Sequence, residues 1–296
     1  MRICVIFNPT AKGERAKRFR HHLEAIGAEC ALKPTTAPGG GRALAAEAVR
    51  EGFEVIVAAG GDGTLNEVLN GIGDAPDGFA RARLGVLPLG TVNVFAREIG
   101  MPLSLRRAWE VIRRGRESAI DLPQVEFGAP AKSQRRWFAQ LAGAGLDAHA
   151  VELVDWNLKK KTGYLAYVVA GLKALRAKQS KISTELDSQP MTGEQVLIGN
   201  GRFYGGPFAV FPEAKLTDGL LDVCVFPRMT WGTVLSCSWG LVTGRLHKSG
   251  GAQHFQAESF SLTAPTHTAL ELDGELVGEL PARFTVQRQL LRAIVP

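Results

Sequence analysis

Val55-Ile56-Val57-Ala58-Ala59-Gly60-Gly61-Asp62-Gly63-Thr64-Leu65-Asn66-Glu67-Val68-Leu69-Asn70-Gly71 is the stretch that decides the fold. Its first five residues form an unbroken apolar run, the pattern of a strand buried on both faces. The glycines that follow permit a tight turn and let backbone N–H groups approach a ligand closely. Leu65 to Leu69 then carries the chain into a helix, whose first turn offers unpaired N–H donors and a partial positive charge. Strand, glycine turn and helix start together predict an anion site, most often one for phosphate. Asp62 is the unexpected member, because a carboxylate in the turn repels phosphate; a bridging Mg²⁺ reconciles the two. The plainer alternative is a structural connection in which Thr64 caps the helix.

Outward from this stretch, strands and helices alternate. Ile3 to Phe7, Glu29 to Lys33 and Leu84 to Leu87 read as further strands, and Lys12 to Ile26, Ala43 to Arg50, Val92 to Ile99 and Leu103 to Arg113 as helices. Such βαβα order predicts a doubly wound α/β domain with a mostly parallel sheet covered on both faces. After Asp121 the pattern becomes β-rich. Leu122–Phe127, Trp137–Ala142, Ile182–Leu186, Gln195–Ile198, Phe208–Val210, Leu221–Phe226, Phe260–Leu262, Ala269–Leu272 and Phe284–Val286 are expected strands. Helical insertions are expected over about 148–178 and 231–246. The expected division is therefore residues 1–121 and 122–296. Gly143-Ala144-Gly145-Leu146-Asp147-Ala148 fits a dinucleotide-loop pattern, but no acidic residue follows at the required distance and no βαβ frame surrounds it; it is expected to be a turn.

With 296 residues, 45% hydrophobic and 22% charged, the chain has the composition of a globular protein of about two domains. No run approaches the ~20 apolar residues of a membrane helix, and the N-terminal stretch reads as a strand rather than a signal peptide. Cys4, Cys30, Cys224 and Cys237 lack metal-site spacing and are expected as buried thiols in a reducing, cytoplasmic setting. The net charge of +6 suits nucleic acid, an anionic membrane surface or a phosphorylated substrate. No nucleic-acid motif is present, and no GxxxxGK[ST] loop. Leu158 to Lys181 combines Lys159, Lys160, Lys161, Lys173, Arg176 and Lys178 with apolar residues at helical spacing, a pattern suited to an anionic bilayer or to a solvated face.

Gly60-Gly61-Asp62-Gly63-Thr64-Leu65-Asn66-Glu67-Val68-Leu69-Asn70-Gly71 resembles the nucleotide-binding signature of the diacylglycerol kinase catalytic domain, found in bacterial lipid kinases and sphingosine kinases. The resemblance extends along nearly the whole chain. Asn8-Pro9-Thr10-Ala11-Lys12 is similar to the family's first phosphate loop, Thr35-Thr36 to its nucleotide-contacting threonine, and Pro88 to Arg97 to its second nucleotide loop. Asn200 to Gly206, Lys215 to Asp222 and Leu272-Asp273-Gly274-Glu275 resemble signatures of its second domain.

This resemblance implies an N-terminal Rossmann-like nucleotide domain and a C-terminal β-sandwich-like, lipid-binding domain, with about 287–296 returning to the first. It implies an ATP- and Mg²⁺-dependent kinase that phosphorylates a lipid hydroxyl. Such a substrate, together with the basic stretch Leu158 to Lys181, favours docking on an anionic membrane surface, peripheral on its inner face, with a homodimer left open. Gly60, Gly61, Asp62, Gly63, Thr64, Leu65, Asn66 and Thr91 would contact ATP, helped by Asn8, Pro9, Thr10, Ala11, Lys12 and Thr36. Glu275 falls at the catalytic base, with Asp273 beside it. Asp62 and Asp121 would organise the catalytic magnesium, and Lys215, Asp218 and Leu220 a structural one. Val92, Val94, Pro207 and Thr217 depart from the family's usual residues. A NAD kinase-like or other small-alcohol kinase, which shares Gly-Gly-Asp-Gly-Thr, and a non-catalytic lipid or nucleotide sensor are the alternatives.

Overall fold

The computed structural model describes residues 1–11, 14–129, 132–146, 148, 180–185, 190–242, 249 and 251–296. The expected phosphate-loop residue Lys12, the insertion over 148–178 and nearly all of the basic stretch Leu158 to Lys181 lie outside these residues.

Four strands, β1 (Ile3–Phe7), β2 (Ala31–Pro34), β3 (Val55–Gly60) and β4 (Arg83–Pro88), lie parallel in the order β2-β1-β3-β4. Parallel neighbours require crossovers. They are supplied by α1 (Glu14–His21) with α2 (Leu23–Gly27), by α3 (Gly40–Arg50), and by α4 (Asp62–Asp74) with α5 (Gly78–Arg81). The strand order reverses between β1 and β3, and at such a switch point the loops leaving the strands' carboxyl ends open a crevice. α6 (Val94–Glu98) and α7 (Leu105–Arg114) complete this half. The apolar run quoted above is buried from Val55 to Ala59, as its lack of alternation demands.

The second half is antiparallel. One sheet runs β14 (Gln253–Ala257), β13 (Leu221–Phe226), β10 (Gln195–Gly199), β7 (Leu141–Gly145), β16 (Ala269–Leu272), β17 (Glu275–Glu279). It faces an extension of the first sheet made by β5 (Glu117–Phe127), β6 (Gln134–Trp137), β8 (Ile182–Glu185), β9 (Met191–Gly193), β15 (Ser259–Thr263) and β18 (Ala282–Ile294). Val125, Phe260, Phe284 and Leu262 of the extension share one core with Ala142, Val196, Val223 and Leu270 of the facing sheet, the interdigitation of a β-sandwich. β11 (Phe203–Tyr204) and β12 (Phe208–Ala209) form a small hairpin, and α8 (Trp231–Val242) follows β13.

β18 joins the two halves. It pairs parallel to β4 at Ala293 and Leu84, and antiparallel to β5 from Glu117 to Phe127. β5 itself passes through Asp121 as one strand. Two other expectations differ. Trp137–Ala142 is not one strand: the chain leaves β6 at Trp137 and enters β7 at Leu141, because the Phe138 N–H turns to the Pro123 carbonyl and the Ala139 and Gln140 N–H groups are taken by a side chain described below. Gly143 and Gly145 lie in β7, inside the second sheet, rather than in a turn.

α3 and α4 pack closely on one face of the parallel sheet, and Gly71 marks their nearest approach. A Cβ there would lie 2.1 Å from the Arg42 carbonyl oxygen. An alanine normally strengthens a helix interior by about 1 kcal/mol, but overpacking a rigid backbone contact costs about 1–3 kcal/mol. Gly71→Ala is therefore expected to lower stability by up to about 2 kcal/mol, read as a lower urea midpoint. A raised midpoint would show that the two helices slide apart freely.

Candidate active site

The glycine turn after β3 lies against the turn after β4. Leu89 and Gly90 donate their N–H groups to the Gly60 carbonyl at 2.9 and 3.1 Å, and a Cβ on Gly90 would lie 2.5 Å from Gly61 Cα. Only glycine lets the two backbones come this close. Asn93, at φ 54°, closes the second turn by exchanging hydrogen bonds with Gly90, accepting from its N–H at 3.0 Å and donating to its carbonyl at 2.7 Å. Asp62 Oδ1 accepts the Val94 N–H at 2.7 Å, so this carboxylate caps α6 and ties the two turns together. Burial, and to a lesser degree the nearby Asp273, hold the Asp62 carboxyl above its ordinary range, against the lowering effect of N–H groups of residues 93 to 95.

Asn8, Pro9, Thr10 and Ala11 follow β1. Asn8 Oδ1 accepts from the Thr10 N–H and hydroxyl, both at 2.9 Å, and Arg20 donates to the Ala11 carbonyl at 2.9 Å. The Thr35 N–H donates to the Phe7 carbonyl at 2.8 Å, which places the exposed Thr36 beside this loop. Thr91 is exposed on the second turn and Leu65 is buried in α4. The Asn8–Ala11 loop, Thr36, the Gly60–Asn66 turn and Thr91 thus all line the carboxyl ends of the parallel strands.

The second domain reaches this edge through the tight turn between β16 and β17. Asp273, at φ 48°, accepts four hydrogen bonds: from Asn66 Nδ2 at 3.0 Å and from the N–H groups of Ala139, Gln140 and Leu141 at 2.8, 2.9 and 3.1 Å. The Ala139 and Gln140 N–H groups belong to the break between β6 and β7, and the Leu141 N–H to the first residue of β7. Burial nonetheless raises the Asp273 carboxyl above its ordinary 3.8. Two residues on, Glu275 Oε1 sits over the first turn of α4, where a Cβ on Gly63 would lie 2.6 Å from it. A helix N-terminus favours a carboxylate there.

Asp121 is placed differently from Asp62. It is buried, and its two oxygens accept the N–H groups of Gly219 and Gln289, both at 2.7 Å. Asp62 and Asp121 share no hydrogen bond. Instead Asp121 stands beside the loop that carries Lys215, Asp218 and Leu220. Burial raises the Asp218 carboxyl, and the neighbouring Asp222 and Asp121 raise it further. Asp218 Oδ1 accepts the Leu220 N–H at 3.1 Å. Among the described residues no three acidic, histidine or cysteine side chains converge as a ready cage, so a cation in this loop would need backbone carbonyls as well.

Two residues that hold the site together were given no role by the motifs: Asn70, inside the quoted signature, and Glu98, just after the second nucleotide loop. Asn70, one turn after Asn66 on the buried face of α4, exchanges hydrogen bonds at 2.9 Å with both the N–H and the carbonyl of Trp137. Glu98 at the end of α6 accepts from the Arg202 N–H at 2.7 Å, Arg202 Nε at 2.9 Å and Gln140 Nε2 at 2.8 Å. Asn66 and Asn70 carried one usable signal, being polar residues four apart on a face that is otherwise apolar.

Residues 2–125 match the family model for the diacylglycerol kinase catalytic domain, and residues 140–295 match that for the YegS C-terminal NAD kinase beta sandwich-like domain. The chain belongs to the diacylglycerol kinase family. A diacylglycerol kinase of Staphylococcus saprophyticus is 30% identical, with all of this chain and 95% of the relative covered. One of Staphylococcus aureus is 31% identical, over 96% of this chain and 89% of the relative. The fold matches a crystal structure from Bacillus anthracis with a TM-score of 0.81 at 21% identity, covering all of this chain and 95% of that one. A structure of a diacylglycerol kinase from the same organism gives 0.70 at 18% identity, covering all of this chain and 97% of that one. The family resemblance seen in the sequence is thus borne out, and with it the α/β domain followed by a sandwich.

Asp273→Asn tests the stitch between α4 and the second domain. The amide's NH₂ would face the Ala139 N–H and Asn66, leaving a donor without an acceptor at a cost of about 1–3 kcal/mol at neutral pH. The pH dependence has a definite sign. A carboxyl whose folded pKa is raised costs stability above that pKa, and this cost vanishes on acidification toward the unfolded value of 3.8. The gap between wild type and Asp273→Asn should therefore widen as pH falls through that window, as read by urea unfolding at stepped pH. A narrowing gap would mean that the four hydrogen bonds outweigh burial.

Proposed function

We propose that the protein is an ATP- and magnesium-dependent kinase that transfers the γ-phosphate of ATP to a lipid hydroxyl at an anionic membrane surface. The observation that carries this is the meeting of the loops leaving the four parallel strands with the Asp273-Gly274-Glu275 turn of the second domain. Anion-binding backbone comes from one half and a carboxylate positioned to take a proton from the other.

The α4 N-terminus and the two interlocked glycine turns supply N–H donors for the phosphate chain, and Asn8, Thr10, Thr36 and Thr91 line its approach. Phosphoryl transfer is mainly positioning and charge neutralisation. Rigid back-to-back turns satisfy the first requirement. Glu275 takes the proton from the attacking hydroxyl, and Asp273 holds its turn against α4. A hydroxyl is a weak nucleophile, so such a base contributes about 10²–10⁴-fold.

Bound magnesium would neutralise phosphate charge as it builds up in transfer. The residues fit it. Asp62 keeps Oδ2 beyond its cap on Val94, and the second loop presents the half-buried Asp218 carboxylate, oxygen donors of the kind a hard divalent cation takes. Asp218 with the carbonyls of Lys215 and Leu220 would hold a cation in that loop. Asp121 would brace the loop from behind through Gly219 and Gln289.

Two variants test the assignment with radiolabelled ATP and a panel of lipid alcohols in mixed micelles. Glu275→Gln should lower kcat by about 10²–10⁴-fold with ATP affinity unchanged; normal turnover would remove Glu275 from the reaction. Asp62→Asn keeps an oxygen to cap Val94 but loses the charge. It should leave thermal stability nearly intact while raising the magnesium requirement by about 10–100-fold. A wild-type magnesium titration in that variant would assign Asp62 to capping alone.

A further inference from the structure

Three large apolar side chains of α8 face the wrong way for a helix on the surface of a globular domain. Trp231, Leu235 and Trp239 are 50%, 70% and 72% exposed. Spaced four apart, they fall within one narrow stripe of the helix. Among the described side chains, those toward the protein are smaller. Gly240 is buried and Thr233, Val234 and Cys237 are half-buried, with α8 resting on β12 and Cys237 packing against the core cluster that includes Phe211, Cys224 and Phe226. An ordinary surface helix shows the reverse arrangement, and three large apolar side chains in a row differ from the scattered exposed leucines every surface carries.

We infer that α8 is the surface by which the protein docks onto an anionic phospholipid bilayer. The choice of partner rests on the proposed lipid-kinase reading; the surface itself does not. Tryptophan combines a large apolar ring with an N–H donor, which suits the boundary between lipid chains and water. The helix contains no charged residue, yet exposed Arg228 lies three positions before it, and Arg245, His247 and Lys248 follow it in the sequence. Apolar anchors bracketed by basic residues match a hydrophobic layer beneath anionic headgroups. At 12 residues, α8 is far short of the ~20 needed to cross a bilayer, so it lies along the surface. Two tryptophans and a leucine also cover well under the ~800 Å² per partner of a stable dimer, which disfavours a second copy of this chain as the occupant.

The placement is productive for a substrate that stays in the bilayer. The hairpin β11–β12 beneath α8 begins at Phe203, next to Arg202, which Glu98 binds at the end of α6. One chain of packed elements thus links the proposed docking face to the second nucleotide turn.

Co-sedimentation with phosphatidylglycerol–phosphatidylcholine vesicles, without ATP, reads docking apart from turnover. The variant Trp231→Ser/Leu235→Ser/Trp239→Ser should lose roughly a hundredfold in vesicle partitioning. It should still phosphorylate a short-chain, monomeric diacylglycerol at the wild-type rate. Wild-type partitioning in that variant overturns the inference, as does patch-dependent self-association in the ultracentrifuge without vesicle binding. If the triple variant does not fold, Trp231→Phe/Trp239→Phe decides. Wild-type tryptophan fluorescence should be quenched by phosphatidylcholine with brominated acyl chains, and most of that quenching should vanish in the double variant; unchanged quenching overturns the inference. Vesicle binding with no phosphorylated lipid from any substrate would instead sink the kinase reading and leave the docking face standing.

Discussion

Everything in the candidate site depends on one carboxylate accepting hydrogen bonds from two domains at once. Asp273 takes an amide N–H from Asn66 on α4 and three backbone N–H groups from residues 139 to 141 of the second domain. A buried anion is costly unless its hydrogen bonds are made. Here they are made only when the two halves are in register. Placing the charge correctly and placing the domains correctly are therefore the same event, and Glu275, two residues away, is positioned by it.

Around this contact the molecule uses polar side chains as substitutes for backbone. Asp62 stands in for the missing N-terminal carbonyl partner of α6. Asp121 takes the N–H of Gln289 where the β5–β18 ladder shifts register between Gln287 and Leu291. Asn70 bonds Trp137 as a neighbouring strand would. In each case a side chain satisfies backbone that regular structure leaves unpaired. Glu98 does the same for Arg202 and Phe203, and adds an ion pair to the guanidinium. These residues make the joints between elements stiff, which suits a site whose work is positioning.

The sequence foretold most of the parallel half because burial on both faces and helix periodicity leave strong local marks. Val55 to Ala59 and the helix after it could hardly be read otherwise. The loops bearing Asn8, Thr36, Gly60 to Asn66 and Thr91 were legible for a related reason: glycine turns and helix starts are local chemistry. Long-range pairing was less visible. Nothing near Trp137 announces that Asp273, far along the chain, will take the N–H groups of residues 139 to 141 and split the strand. Asp121 likewise gave no hint that its partners would be Gly219 and Gln289. The outward stripe on α8 was hidden as well, since Trp231, Leu235 and Trp239 look like core residues until the neighbouring elements are in place. Family resemblance supplied the roles that spacing alone could not, and it grouped Asp121 with Asp62 where the fold groups it with Asp218.

The long strand β18 has a consequence for how the protein is made. It lies between β4 and β5, so the sheet of the first half has a gap until residues 282–294 arrive. A nascent chain that has finished β1 to β5 holds an open edge on a very apolar sheet, the kind of surface that invites pairing with the wrong strand. The segment that closes it comes after the rest of the second domain. Both domains therefore reach their final state late and together, through contacts of very large sequence separation, which makes for slow folding. A truncation within β18 would uncover β4 and β5 at the same time, turning a small deletion near residue 290 into a failure of the nucleotide half more than two hundred residues upstream.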